Sequence, residues 1–301
     1  MKKYIKFSLK LILVTLIFAI SIIIPTILIP VSPEIISRIT EEMQTNMLGS
    51  MLLVSLLGTV SLFVNIKFSQ WSGLKLILAL SISFFGIQYF MAQIETFYFR
   101  EAFTFMTNGE ILNILLRGLI TTIIVVSLTV IIFRKDKIDK KINIKATFKQ
   151  IKIYNLLKKA VLFSVLYIII YLFFGYYVAW QFEAVRLFYS GNTENLGFIN
   201  QIVSTIDKMP FFLPYHFLRG LLWIFFSIPI ILMMAGSRKK TVISLMLLFS
   251  YHGFQIIMAQ GFFPPEVLFG HTIETTISAA LYGGLVGYMF YLPEEIIVEL
   301  K

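Results

Sequence analysis

The chain has 301 residues, of which 58% are hydrophobic and 14% are charged. A soluble domain is about a quarter charged and somewhat under half apolar, so this composition excludes an ordinary soluble globular protein and calls for lipid as the solvent. There are no cysteines, which excludes disulfides, thiolate metal ligands and a cysteine nucleophile. The net charge of +10 would suit nucleic acid, but the distribution of the charges indicates membrane topology, and no nucleic-acid partner is predicted.

Apolar stretches long enough to cross a membrane recur along the whole chain. A bilayer core of about 30 Å takes roughly 20 helical residues, and a continuous apolar run indicates a helix because a barrel strand would alternate. The first run follows a basic start, but it is too long for a signal peptide and lacks a cleavage site, so it is predicted as a retained helix. The eight predicted spans lie near 9–31, 48–66, 74–94, 112–133, 160–180, 212–234, 241–260 and 271–291. The sequence therefore predicts an all-α, polytopic integral membrane protein that forms a single membrane domain over 1–301.

The positions of lysine and arginine predict the orientation of the chain. If the N-terminus is cytoplasmic, twenty of the 26 basic residues fall on inner segments, and every inner loop between helices is basic. Aromatic clusters at 97–99 and 176–180 then fall at the outer interface, where amphipathic rings prefer to lie. We predict a multi-pass protein of the plasma membrane, surrounded by membrane lipids, with both termini in the cytoplasm.

The third and seventh apolar stretches share a motif. SFFGIQYFMAQ from Ser83 and SYHGFQIIMAQ from Ser250 match at six of eleven positions with a constant offset. The matches include Gln88 with Gln255, and an amide is scarce in a lipid-spanning helix. We predict two parallel four-helix repeats, 1–133 and 160–293, a plan known among transporters. Chance similarity is the alternative, since many pairs of windows can be compared.

The basic segment 134–159 joins the two predicted repeats on the cytoplasmic side. Ile144, Phe148 and Ile151 are spaced i, i+4 and i+7, and lysines repeat the same spacing on another face. Two interpretations stay open. The segment is either an amphipathic helix lying on the inner leaflet or a solvated basic linker that enforces the topology.

Polar side chains inside a bilayer are costly, so they indicate a functional site by default. Those of the third, seventh and eighth predicted helices fall on shared helix faces. We predict that they line a polar cavity between the two repeats, open to the outer side, which contacts a cation, a proton or a small polar solute. The residues are Gln88, Glu95, His252, Gln255, His271 and Glu274.

Charged residues also lie at the outer helix ends, namely Arg117, Glu183, Arg186 and Arg219. They support a structural alternative for the polar residues as a whole. In that interpretation Arg117 and Arg219 pair with Glu95 and Glu274 near the headgroups. The amides and histidines bond across helices, for about 0.6 kcal/mol each.

A metal site is not predicted. His216, His252, His271 and Glu274 could converge, but only His271 and Glu274 share a helix, at i, i+3. That spacing would place two ligands on one face. It is also common by chance, so neither a metal nor another cofactor is predicted.

Signatures of known membrane enzymes are absent from the sequence. It contains no HExxH, no GxSxG and no Walker A motif. The prenyl-endopeptidase-like membrane family carries EExxxR with later FxxxH and HxxxN elements. Here Glu41 and Glu42 are followed by Asn46 in place of arginine, Phe212 and His216 match FxxxH, and no HxxxN follows. The chain is therefore not assigned to that family, and no catalytic residue is predicted.

Small residues cluster late in the chain and include a GxxxG pair, Gly283 and Gly287. Such a pair permits close approach of two helices, which predicts either a contact between the repeats or a seam of a homo-oligomer.

Three functional classes remain. The favoured prediction is a secondary transporter or permease for a small polar solute or cation. The alternatives are a membrane-embedded enzyme acting at the outer leaflet, with Glu274 and His271 as acid and base, and a non-catalytic immunity, assembly or sensor component.

Overall fold

The computed structural model describes residues 2–103, 106–133 and 153–296, and long helices dominate this part of the chain. In chain order the helices are α1 (Lys2–Leu28), α2 (Pro33–Ile36), α3 (Glu41–Phe68), α4 (Gly73–Tyr98), α5 (Asn108–Phe133), α6 (Ile153–Tyr177), α7 (Glu183–Ser190), α8 (Phe198–Lys208), α9 (Phe212–Met233), α10 (Arg238–Phe254) and α11 (Pro265–Phe290). A π-helical turn lies within α4 at Gly86–Phe90, and 3₁₀ turns lie at Arg100–Ala102, Ala179–Gln181, Gln255–Ala259 and Glu294–Ile296.

Seven helices of the described residues are long and apolar enough to cross a membrane, namely α1, α3, α4, α5, α6, α9 and α10. Their outward faces are apolar. On α1, for example, the side chains of Leu16, Ile20 and Ile23 are each about half exposed. An exterior of this kind is unfavourable in water and favourable in lipid.

Each predicted span falls largely within one long helix. Most helices extend beyond at least one predicted end, whereas α1 and α6 end at Leu28 and Tyr177, before the predicted ends at 31 and 180. The extension has a simple cause, because a helix continues through polar residues once it has left the apolar core of the bilayer. The eighth predicted span falls within α11, which is not among the seven helices that meet the length and composition criteria. Residues 153–159 of the predicted linker belong to α6. The rest of the linker, including Ile144, Phe148 and Ile151, lies outside the described residues.

Local sequence explains where several helices begin. Thr40 caps α3, since its hydroxyl accepts a hydrogen bond from the Met43 amide at 3.2 Å, and Glu41 and Glu42 occupy the first turn. Pro265 starts α11 at a position where a missing amide hydrogen costs nothing. The helices α7 and α8 were not predicted, because both are short and amphipathic and lack a long apolar run.

The loops between α3 and α4 and between α9 and α10 meet at one end of the bundle. The Gln70 amide donates to the Met233 carbonyl at 2.7 Å, and the Gly236 amide donates to the Leu292 carbonyl at 2.8 Å. Basic side chains lie at the same end, with the Lys75 ammonium 3.9 Å from the Trp71 ring centroid. This end therefore unites basic loops that the sequence assigned to one side of the membrane.

The glycine pair of α11 packs against α10 of the same chain. A Cβ atom on Gly287 would lie 2.8 Å from the Val242 Cα, and one on Gly283 would lie 2.8 Å from the Leu245 carbonyl oxygen. Both glycines thus allow two backbones to approach closely. Homo-oligomerisation through this helix stays a prediction.

We expect Gly287→Ala to lower the thermal stability of the purified protein, because the backbone of α10 must retreat to admit the methyl group. Overpacking of this kind costs about 1–3 kcal/mol. Gly284 gives a matched control on the same helix, since a Cβ there meets nothing closer than the Met246 sulfur at 3.8 Å. Gly284→Ala should leave the unfolding temperature unchanged or raise it slightly. Equal behaviour of the two variants in a fluorescence melt would contradict this close approach.

Candidate functional site

A cavity of about 1130 Å³ lies at the end of the bundle that carries α7 and α8. Side chains of both predicted repeats line it, from α4 and α5 in the first and from α6 to α11 in the second. All six residues predicted to share a cavity line this one: Gln88, Glu95, His252, Gln255, His271 and Glu274. Exposed residues such as Phe97 and Phe211 lie along its rim, so the cavity reaches the molecular surface.

One polar contact of the cavity lining joins the two glutamines of the repeated motif. The Gln255 side-chain amide donates to the Gln88 amide oxygen at 2.6 Å, and the Gln88 amide donates to the Leu248 carbonyl at 2.8 Å. Gln88 lies in the π-helical turn of α4, and Gln255 begins the 3₁₀ turn that follows α10. Interruptions of this kind inside membrane helices release backbone groups and concentrate at functional sites.

Glu95 and Arg219 form an ion pair across α4 and α9. Two guanidinium nitrogens of Arg219 donate to the two carboxylate oxygens of Glu95, at 2.9 and 2.6 Å. The Arg219 side chain is 2% exposed, whereas that of Glu95 is 30% exposed toward the cavity. The rings of Tyr167, Tyr171 and Tyr215 surround the guanidinium with centroids at 5.7, 5.9 and 5.7 Å. Arg219 is therefore a structural part of the cavity lining, because the Glu95 carboxylate balances its positive charge.

Glu274 and His271 lie one turn apart on α11 and face the same cavity. The Thr275 hydroxyl donates to a carboxylate oxygen of Glu274 at 3.0 Å, and the His271 Nδ1 lies 3.8 Å from that oxygen. The Tyr189 ring of α7 stands edge-on to His271, with ring centroids 5.3 Å apart. Burial raises the pKa of the Tyr189 hydroxyl, and the negative charges of Glu95 and Glu274 raise it further, so this hydroxyl stays neutral.

His252 also lines the cavity, from α10, and is 6% exposed. Its ring stands edge-on to Trp223 of α9 with centroids 5.1 Å apart. Within the described part of the chain, its Nδ1 has no hydrogen-bond partner. The site thus places an unsatisfied imidazole nitrogen between two helices of the second predicted repeat.

The four helix-end charges do not act alike. Arg219 pairs with Glu95, and Arg117 forms a close ion pair with Glu110, two turns away on α5. The Arg186 guanidinium donates to main-chain carbonyls, with Trp180 at 2.6 Å and Thr193 at 2.6 Å. Glu183 is exposed in the first turn of α7 and does not line the cavity. Two of these four residues, Arg117 and Arg219, therefore pair with a glutamate.

Sequence reasoning missed Glu110 and the tyrosines of the cavity wall. Glu110 had a usable signal, because positions seven apart on a helix share a face and Arg117 had been singled out. The tyrosines had none, since aromatic residues are common throughout these helices. His216 lies apart from the cavity lining, fully buried, with its ring centroid 3.9 Å from that of Tyr171.

In the described ranges, no three histidine, aspartate or glutamate side chains come close enough to hold a metal ion. A scan of protein-family models, a search of curated proteins and a search of solved structures each find no match for the chain. The long apolar helices and their apolar exterior define the class to which the chain belongs. It is an all-helical, multi-pass membrane protein, and the sequence prediction is confirmed at this level.

Proposed function

We propose that the chain is a secondary transporter or permease for a small polar or cationic solute, and that the cavity between its two halves is the solute site. One observation carries the proposal, namely the hydrogen bond between Gln88 and Gln255, which joins two interrupted helices in the lining of the cavity. Interrupted helices that meet between structural repeats form the substrate sites of many transporters.

The proposal includes eight spans with both termini in the cytoplasm. The count of eight takes α11 as a span, because it is 26 residues long and packs along α10. Its buried Glu274 and close-packed glycines lower its apolar character, as expected of a helix enclosed by protein. The contacts of Gln70 with Met233 and of Gly236 with Leu292 support a common side for the basic loops. The positive-inside rule makes that side cytoplasmic.

Two parallel four-helix repeats are also part of the proposal. The irregular turns overlap in the two copies of the motif. The π-helical turn covers Gly86–Phe90 and the 3₁₀ turn covers Gln255–Ala259, and both contain the matched glutamine. The two matched glutamines then bond to each other. A duplication explains both features at once, and chance similarity of sequence explains neither.

The test is the double variant Gln88→Leu with Gln255→Leu. Removing both amides together avoids leaving one buried amide unpaired, so the fold should be retained. The cavity then loses the polar pair formed by Gln88 and Gln255. The purified protein is reconstituted into liposomes that contain a pH-sensitive dye. Proton movement is then followed on external addition of sodium, choline or tetraphenylphosphonium. We expect the wild-type protein to respond to at least one cation, and the double variant to fall to the level of empty liposomes.

Gln260→Leu provides the matched control. Gln260 belongs to the same motif, but it bonds with Ser50 and does not line the cavity. This variant should keep the wild-type response. A monodisperse double variant with an unchanged response to every cation would refute the role of the glutamine pair. A wild-type protein that moves no protons on addition of any of the three cations would refute permease activity for these solutes.

The second candidate is a membrane-embedded enzyme, and the contact between His271 and Glu274 favours it. A carboxylate 3.8 Å from an imidazole in a cavity can exchange a proton with a bound substrate. Turnover of a lipid added to the same liposomes, without solute movement, would support the enzyme over the permease.

A further inference from the structure

Glu274 differs from Glu95 and Glu110 of the same cavity because no cationic side chain of the described residues pairs with it. Glu95 has Arg219, and Glu110 has Arg117. The side chain of Glu274 is 9% exposed, and its partners are the Thr275 hydroxyl and the more distant His271 ring. A buried carboxylate without a counter-charge is unfavourable, so it gains strongly from a bound cation.

The walls around this carboxylate are aromatic. The aromatic residues that line the cavity from α6 to α11 include Tyr167, Tyr171, Trp180, Tyr189, Trp223 and Tyr282. The faces of such rings attract cations, and most strongly cations that shed their water easily. Tyr189 stays neutral, so it adds no competing negative charge. An inorganic cation would use the carboxylate but not the apolar surface.

The charges that face Glu274 from neighbouring helices leave its own negative charge unopposed. Glu95 of α4 and Arg219 of α9 form an ion pair and together add no net charge. His271 of α11 and His252 of α10 are the two histidines that line the cavity with Glu274. The hydroxyls of Tyr167, Tyr171 and Tyr189 are further titratable groups near Glu274.

We propose that the cavity binds a lipophilic organic cation, whose positive group lies against the Glu274 carboxylate and whose apolar body lies against the tyrosine and tryptophan walls. The proposal rests on the proposed function only in taking this cavity as the solute site.

The test compares two probes of the same shape and opposite charge, tetraphenylphosphonium and tetraphenylborate. Binding is measured by equilibrium dialysis of the full chain in nanodiscs of neutral lipid, with empty nanodiscs subtracted. We expect the wild-type protein to bind tetraphenylphosphonium and not tetraphenylborate. Glu274→Gln should weaken that binding by about tenfold or more, the size of a charge-assisted contact.

Glu266→Gln is the control, since Glu266 is an exposed carboxylate in the first turn of α11 that does not line the cavity. It should bind tetraphenylphosphonium as the wild-type protein does. Glu274→Asp keeps the charge on a shorter side chain and should bind with intermediate affinity, which preserves a test if Glu274→Gln does not fold.

Three results would overturn the proposal: a wild-type protein that binds neither probe above empty nanodiscs, one that binds both equally, or a folded Glu274→Gln that binds as tightly as wild type. Failure of the permease is distinguishable. Selective binding without movement of any cation in liposomes would refute transport and leave the ligand class intact, whereas cation movement that is indifferent to Glu274 would do the reverse.

Discussion

Glu95→Gln is expected to destabilise the protein by about 3–5 kcal/mol, because it leaves the Arg219 guanidinium buried without an anionic partner. The loss of stability should be larger for the substitution of Glu95 than for the substitution of Arg219. The Arg219 side chain is 2% exposed and enclosed by tyrosines, whereas Glu95 is 30% exposed to the cavity. A carboxylate left alone by Arg219→Met can be hydrated, but a guanidinium left alone by Glu95→Gln cannot.

The measurement is the midpoint of thermal aggregation of purified protein in detergent, followed by size-exclusion chromatography. Glu101→Gln is the control, since Glu101 is an exposed carboxylate at the same cavity. It should melt with the wild type. The double variant Glu95→Leu with Arg219→Met should recover most of the loss, because paired buried charges are often replaceable by apolar side chains. A Glu95→Gln protein that melts with the wild type would mean that the ion pair adds nothing to stability.

The membrane spans could be predicted because the composition of a segment is enough to recognise a membrane helix. A run such as Leu11–Val31 must be buried in lipid whatever its neighbours are, so no knowledge of packing is needed. The choice of Gln88, Glu95, His252, Gln255, His271 and Glu274 follows from the same physics, since polar groups at those depths are costly. Composition identified the side chains, and helical periodicity placed pairs of them on common faces.

The pairing between helices could not be predicted. Which glutamate meets Arg219 depends on the rotation of α4 and α9 about their own axes, and composition does not determine that rotation. Arg186 illustrates the same difficulty, because its guanidinium donates to the carbonyls of Trp180, Gln181 and Thr193. Main-chain acceptors leave no mark in the sequence. The helices α7 and α8 escaped prediction because their signal is a short amphipathic period without a long apolar run.

The ion pair between Glu110 and Arg117 supports the second large prediction, because it fastens the chain that leaves α1 to the start of α5. The Ser32 amide donates to a carboxylate oxygen of Glu110 at 3.2 Å, and the Arg117 guanidinium donates to the Ile29 carbonyl at 3.4 Å. The Glu110 side chain is 1% exposed. Arg117→Met should therefore cost about 3–5 kcal/mol, since it strands a buried carboxylate.

Hydrogen–deuterium exchange gives this prediction a local signature. In Arg117→Met we expect faster exchange across 29–36, with the amide of Ser32 affected most, because its acceptor is the carboxylate that loses its counter-charge. Arg186→Met is the matched control, since that guanidinium also lies at a helix end but bonds to carbonyls of its own segment. It should leave 29–36 unchanged and loosen 180–193 instead. Exchange at 29–36 that is the same in Arg117→Met and in the wild type would show that the segment is held by other contacts. Faster exchange confined to 29–36 would show that one buried ion pair joins α5 to the chain between α1 and α3.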